Sequence, residues 1–418
     1  MNPTNIQLIS AILFGLAIIH TFSTRFFEGL AHRQPRHAGV WHLLGEVEIV
    51  FGFWATVLVL FMLILEGKQT ATDYINTLHF TEPMFVFAIM VVAASKPIFQ
   101  MASSLVRRLG DLIPLGGSSG AYFCVLSILP LLGSFITEPA AMTVAAMTLS
   151  DAFFERGLPT RAKYITLGVL FVNVSIGGTL TPYAAPPVLM VAGKWGWTLD
   201  FMLAQFGWKA ALAVVVNALL ATLVCRRDLK KLLPEKKTTP AKTPPLIYLI
   251  HLIFLSSVVV FAHTPALFMG LFLLFLGFAS AYSKYQERLI LREGLLVAFF
   301  LAGLVTIGGM QQWWLGPLLT NMSDTAVFFG AAVLTAVTDN AALTYLGSLV
   351  DGISDGFKYS LVAGAVVGGG LTVIANAPNP AGFSILRRHF PDGAISPIML
   401  LIYALPPTLI ALAAFWVL

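Results

Sequence analysis

Charge is what this chain lacks. Only 11% of its 418 residues are Asp, Glu, Lys or Arg, while 57% are hydrophobic, and the mean hydropathy is +0.84. Soluble domains carry roughly 25% charged residues, and so few charges cannot cover the surface of a water-soluble protein of this length. The chain reads as a polytopic membrane protein. Its apolar runs reach about 20 residues with a helical period, which fits membrane helices and excludes a barrel of short alternating strands. Cysteine is nearly absent: Cys124 and Cys225 stand far apart, in or beside apolar segments. Neither a disulfide nor a thiolate metal site is expected from them.

Catalytic and nucleotide signatures are missing as well. Gly116-Gly117-Ser118-Ser119-Gly120 has no Gly-Lys-[Ser/Thr] ending, so it is no phosphate-binding loop, and a primary pump is not expected. No Ser/His/Asp or Cys/His constellation occurs, and neither an enzyme nor a cofactor is expected. The net charge of +5 comes from loops between spans and carries no nucleic-acid signal. Met1-Asn2-Pro3-Thr4 lacks the basic region that precedes a signal peptide, so the first span is expected to be retained.

The polar residues that remain are not scattered. Thr338-Asp339-Asn340-Ala341-Ala342-Leu343-Thr344 puts a carboxylate, two hydroxyls and an amide into an apolar stretch. Thr137-Glu138-Pro139-Ala140-Ala141-Met142-Thr143 repeats the pattern Thr-[Glu/Asp]-x-Ala-Ala-[Met/Leu]-Thr. A Gly-, Thr- and Pro-rich element follows each copy, Gly178-Thr179-Leu180-Thr181-Pro182-Tyr183-Ala184-Ala185-Pro186-Pro187 after the first and Gly369-Gly370-Leu371-Thr372-Val373-Ile374-Ala375-Asn376-Ala377-Pro378-Asn379-Pro380 after the second. Two motifs in the same order, half a chain apart, point to two structural repeats.

Hydropathy places the repeats in an all-α plan. The first, residues 1–224, has spans at 6–24, 43–65, 83–106, 164–196 and 200–224, the fourth broken at 176–187. Residues 118–132 are too short to cross comfortably and lead into a re-entrant hairpin ending near 154, with the first motif at its tip. The second, residues 246–418, has spans at 246–262, 265–282, 295–310, 359–386 and 395–417, the fourth broken at 368–380, and a hairpin at 325–350. Residues 225–245 form a Lys- and Pro-rich linker. Five crossings per half invert the second repeat relative to the first. The expected cytoplasmic loops then hold all of the 25 Lys and Arg except Lys68, Lys96, Lys194, Lys209 and Lys358, as the positive-inside rule requires. The linker is expected in the cytoplasm and both termini outside.

Acids at bilayer depth are expensive and are generally functional. Glu138 and Asp339 occupy equivalent motif positions, each where a hairpin turns, and Pro139 suits the first position of the second arm. An acid there could merely cap its helix. Duplication at membrane depth beside a broken helix argues instead for a site that binds a cation and exchanges a proton. Thr137, Thr338, Asn340, Thr179, Thr181, Thr372, Asn376 and Asn379 supply further oxygens, and helix-end carbonyls at the breaks complete a hard-cation set. Gly178, Pro182, Pro186, Gly369 and Pro378 break the helices, or only permit close packing. Glu46 and Glu48 open the second span, as interfacial or functional acids. Lys96, inside the third span, either pairs with an acid or snorkels. Asn173 and Ser175 precede the first break as supporting groups.

At the two motifs and the two breaks the chain resembles the ion transporter superfamily, and within it bacterial proteins classed as sodium/proton antiporters, akin to the NhaD type. The resemblance covers essentially the whole chain. It implies a scaffold domain, often dimeric, and a transport domain of hairpins and broken helices that moves like an elevator. The carboxylate-transporting branch has Ser-Asn-Thr at its hairpin tips, where this chain has Thr-Glu-Pro and Thr-Asp-Asn. Two carboxylates would repel an anion. The expectation is an inner-membrane antiporter exchanging Na+ or Li+ for H+, with Na+ held at Glu138 and Asp339 and the bilayer and a second copy as partners. The alternatives are a carrier of an anion or metalloid oxyacid and a non-transporting subunit of a membrane assembly.

Overall fold

The computed structural model describes residues 3–115, 118–232, 243–319 and 321–418. Residues 233–242 of the expected linker, including Lys236, Lys237 and Lys242, lie outside the described residues, as does Gly116-Gly117. Every regular element among the described residues is a helix. Local chemistry sets where many of them begin. Ser323, Ser354 and Ser396 cap theirs by accepting a backbone N–H, and Pro245, Pro265 and Pro397 stand in first turns, where a missing N–H costs nothing.

Among the described residues, five helices are long and apolar enough to cross a membrane, or six if one bent pair counts as a span. They include Ser118–Ile136, Leu291–Gly308 and Pro397–Val417. Shorter apolar helices such as Pro245–Val260 and Pro265–Ala281 stand beside them.

Several boundaries differ from the sequence expectation. The span placed at 83–106 is two helices, Thr81–Ala93 and Lys96–Leu112, divided at Ser95, whose extended backbone precedes Lys96 and Pro97. Pro97 has no N–H to give the Ala93 carbonyl and its ring crowds that carbonyl, so one helix ends at Ala93 and the next starts with the proline in its first turn. Lys96, at the new start, pairs with Glu287 at 3.0 Å. The first hairpin arm does not stop at Gly133-Ser134: it continues to Ile136, which makes it long enough to cross. Tertiary packing carries the helix through a glycine that propensity alone would end it at. The first break is also narrower, because the helix Thr160–Gly177 runs into a 3-10 turn, Gly178–Leu180, and a new helix begins at Pro186.

The helices pack as two groups that draw on both halves of the sequence. One contains Asn5–Phe22, Val47–Leu65, Thr81–Ala93 and Leu291–Gly308, flanked by Pro245–Val260 and Pro265–Ala281. The other surrounds Thr160–Gly177, which packs on Ser118–Ile136, Trp208–Leu229 and Pro397–Val417. Against it lies Asp355–Gly368, whose Gly364 and Gly368 sit on the carbonyls of Phe328 and Ala332 in Asp324–Thr335. Small residues at that seam let two backbones approach where lipid offers no hydrophobic drive between helices.

Candidate ion site

The first tip reverses the chain at one residue. Ser118–Ile136 ends, Thr137 takes φ 76 and ψ 151, and Glu138 opens the second arm, Glu138–Leu149, with Pro139 in its first turn. That backbone region is almost reserved for glycine and costs a β-branched residue about 1–3 kcal/mol. The turn places Glu138 in the interior at 0% exposure. Asn376 Nδ2 donates to Glu138 Oε2 at 2.8 Å, and Glu138 Oε1 has no hydrogen-bond partner. Gly178, first residue of the break, lies against this carboxylate so closely that a Cβ would collide with it.

The second tip is similar but not identical. Asp339 caps Asn340–Ser348, its Oδ1 accepting the Ala342 N–H at 3.0 Å. Asn340 is the first helical residue, fully buried, and neither atom of its amide has a partner. A Cβ on Gly369 would meet Asn340 Nδ2 and Ser175 Oγ. The sequence pattern aligns Glu138 with Asp339. The helix starts do not: Thr137 and Asp339 are the two caps, and Glu138 and Asn340 the two first residues, each facing the leading glycine of a break. The second arm begins one residue later relative to the motif, because the Asp339 side chain, unlike that of Glu138, takes up the cap.

The breaks are tied to the hairpins through hydroxyls. Thr181 Oγ1 donates to the Ser134 carbonyl at 2.6 Å, and Thr372 Oγ1 to the Ala336 carbonyl at 2.8 Å. Ser134 Oγ donates to the Gly177 carbonyl at 2.7 Å and accepts the Leu180 N–H at 2.9 Å. Thr179 Oγ1 donates to the Ile176 carbonyl and Thr338 Oγ1 to the Leu334 carbonyl. These four threonine hydrogens are thus given to backbone. Asn379 Nδ2 donates to the carbonyls of Gly369 and Thr372, each at 2.8 Å. Pro186 opens the resumed first helix and Pro378 precedes the second, Asn379–Leu386, while Pro182 lies in the irregular stretch between. Ser175 Oγ reaches across to the Val366 carbonyl at 2.7 Å and so joins the two broken helices. Asn173 donates to the carbonyls of Leu126 and Val214 and accepts from Asn217, a packing node one turn before the break. Ser134 is a functional hydroxyl outside the motif. Its place three residues before Thr137 matches that of Thr335 before Thr338, a duplication legible in the sequence, although Thr335 Oγ1 itself has no partner.

What the structure gathers at the tips and breaks is a group of buried oxygens with capacity left over. Glu138 Oε1, Thr137 Oγ1, Asn340 Oδ1, Asn376 Oδ1 and Asn379 Oδ1 all lack a partner. An orphaned buried polar group costs about 1–3 kcal/mol, and folded proteins keep few of them. A cation would use these oxygens. Among the described residues no three His, Cys, Asp or Glu side chains form a metal-holding group. The donor set is therefore oxygen-rich and low in charge, which suits a hard monovalent cation better than zinc or calcium.

A many-helix chain with apolar spans, interrupted helices and a fully buried carboxylate at a hairpin tip is a membrane carrier by class. Its sequence matches the family described as "Putative Na+/H+ antiporter" over residues 5–418, and the chain belongs to that family. Membership and the apolar helices make it a multi-pass membrane protein and a transporter rather than an enzyme, with Na+ and H+ as the family's substrates. No curated protein matches the chain.

Proposed function

We propose that this chain exchanges cytoplasmic Na+ or Li+ for external H+, with the two ions competing for Glu138 and Asp339. The observation that carries this is the Glu138 carboxylate: fully buried, bonded through one oxygen to Asn376, open at the other, and unpaired with any Lys or Arg among the described residues. A buried carboxylate with no fixed cation must recruit a mobile one, a proton or a metal ion. Thr137, Asn340, Asn376 and the oxygens at the breaks would complete the shell of the metal ion. The proposal extends to the bacterial inner membrane, to inverted halves 1–224 and 246–418 joined by a cytoplasmic linker, and to elevator-like movement of the group around Thr160–Gly177 against the other. Kinship with NhaD-type antiporters and their superfamily, and a dimer, belong to it too.

The test uses proteoliposomes with an internal pH dye. Glu138→Gln and Asp339→Asn keep size and most hydrogen bonding but can neither exchange a proton nor neutralise a cation. Both should abolish Na+-evoked proton movement while leaving folded protein in the membrane. Wild-type rates in both would mean that neither acid carries coupling. Substrate-dependent flux without proton movement would favour the anion carrier.

A further inference from the structure

The proposed site leaves one acid without a role. Glu48 lies in the first turn of Val47–Leu65 and lines a cavity of about 280 Å3 between that helix and the second hairpin tip. Its walls are almost wholly hydrocarbon, from Phe14, Phe51 and Phe300 among others. Among the described residues its charged lining side chains are Glu48 on one wall and Asp339 on the other. Asn376 lines it too, 1% exposed, with Oδ1 unpartnered and its N–H bound to Glu138. Among the described residues the charged groups around Glu48 are Glu46, Arg292 and Asp339. Arg292 forms its ion pair with Glu46 and acts on Glu48 only from beyond hydrogen-bond contact. A carboxylate kept on a hydrocarbon wall and in no ion pair among the described residues is costly and is retained for use.

We propose that Glu48 is an outer cation station, a positioning carboxylate that holds an alkali cation in this cavity on its way to and from Asp339. A cation leaving water for a hydrocarbon-walled space loses hydration that carbon cannot replace. One carboxylate part-way neutralises it and raises its local concentration at the inner site. The inference rests on the antiport reading of the same site.

The experiment compares full-length wild type, Glu48→Gln, Glu48→Asp and Glu293→Gln in proteoliposomes. Glu293 is an exposed acid outside this cavity and serves as the control. Glu48→Gln should raise the apparent KM for Na+ about tenfold with the maximal rate kept, Glu48→Asp should restore most of the affinity, and Glu293→Gln should match wild type. Added choline chloride should narrow the gap between wild type and Glu48→Gln, since screening weakens long-range attraction. A packing defect would not respond to salt. A wild-type KM in Glu48→Gln, or a loss of rate that follows loss of folded protein at every ionic strength, overturns the proposal. Stabilisation of the detergent-solubilised protein by Na+ gives a readout without transport. If Na+ stabilises wild type, at a higher concentration in Glu48→Gln, yet no protons move, antiport fails and the station stands. If both proteins respond at the same Na+ concentration, the station fails alone. If Na+ stabilises neither and no protons move, both fail.

Discussion

At the scale of single residues, the site depends on absent atoms as much as on present ones. Gly178 has no Cβ because the Glu138 carboxylate occupies that space. Gly178→Ala should therefore displace the carboxylate from Asn376, cost about 1–3 kcal/mol as an overpacked interior does, and sharply reduce Na+-driven proton flux. Gly193, with nothing within 4 Å of its Cβ position, is the control, and Gly193→Ala should leave flux and melting temperature near wild type. Equal behaviour of the two alanine variants would show that the carboxylate has room to move. The glycine and the acid were both visible in the sequence as members of repeated motifs. Their contact was not, because forty residues separate them and only the fold closes that gap. Nor could the sequence announce the backbone of Thr137, since threonine is among the last residues a positive φ would suggest.

The two hairpins differ as elements. The arms of the first lie along each other, whereas the arms of the second scarcely touch: Asp324–Thr335 packs instead on Asp355–Gly368, and Asn340–Ser348 on Pro186–Trp195. One threonine hydroxyl ties each break to its own hairpin, Thr181 to Ser134 and Thr372 to Ala336, and at the first break Ser134 Oγ adds bonds to Gly177 and Leu180. Thr181→Val and Thr372→Val should each cost about 1 kcal/mol, the net worth of such a bond, and raise the apparent KM for Na+ by letting the break drift from the tip. The two ties share no partner, so the losses should add in the double variant. Melting curves in detergent, with KM from flux, decide it; unchanged values in both single variants would remove the ties from the account. Much of this level was legible beforehand: Gly and Pro clusters marked both breaks, and apolar runs marked most helices. Helix ends were less legible. Pro97 was in plain view but sat inside an unbroken apolar run, and Gly133 invited a stop that packing overrode.

For the whole molecule, the tail of the first hairpin meets the far end of the second broken helix. Ser150 Oγ and His389 Nε2 are 2.8 Å apart, Lys163 Nζ donates to the His389 carbonyl at 2.7 Å, and Arg388 pairs with Glu155 at 3.2 Å. Burial, with Arg388 and Lys163 nearby, holds the His389 imidazole below its ordinary range. The fold thus favours the neutral ring, and the unfolded chain takes up the proton first as pH falls. Stability should accordingly decline as pH drops below about 6.5, the unperturbed imidazole value, and His389→Gln should flatten that decline. Melting temperature against pH for both proteins checks the sign; parallel curves would clear His389. Topology is tested at the same scale. A tag in the 225–245 linker should report the cytoplasm and tags at either terminus the outside, and a linker found outside would sink the inverted arrangement.

The one-residue offset between the two tips matters for direction. With the halves inverted as proposed, identical tips would make the carrier a palindrome, presenting the same ligands in the same order to both faces. Here one half offers an acid as its first helical residue and an amide stands in that place in the other. On the proposed antiport reading, a cation arriving from one side would meet its ligands in a different sequence from one arriving from the other. In kinetic language the offset would act as a rectifier, leaving the equilibrium to the two gradients and making the forward and reverse half-reactions unequal in rate.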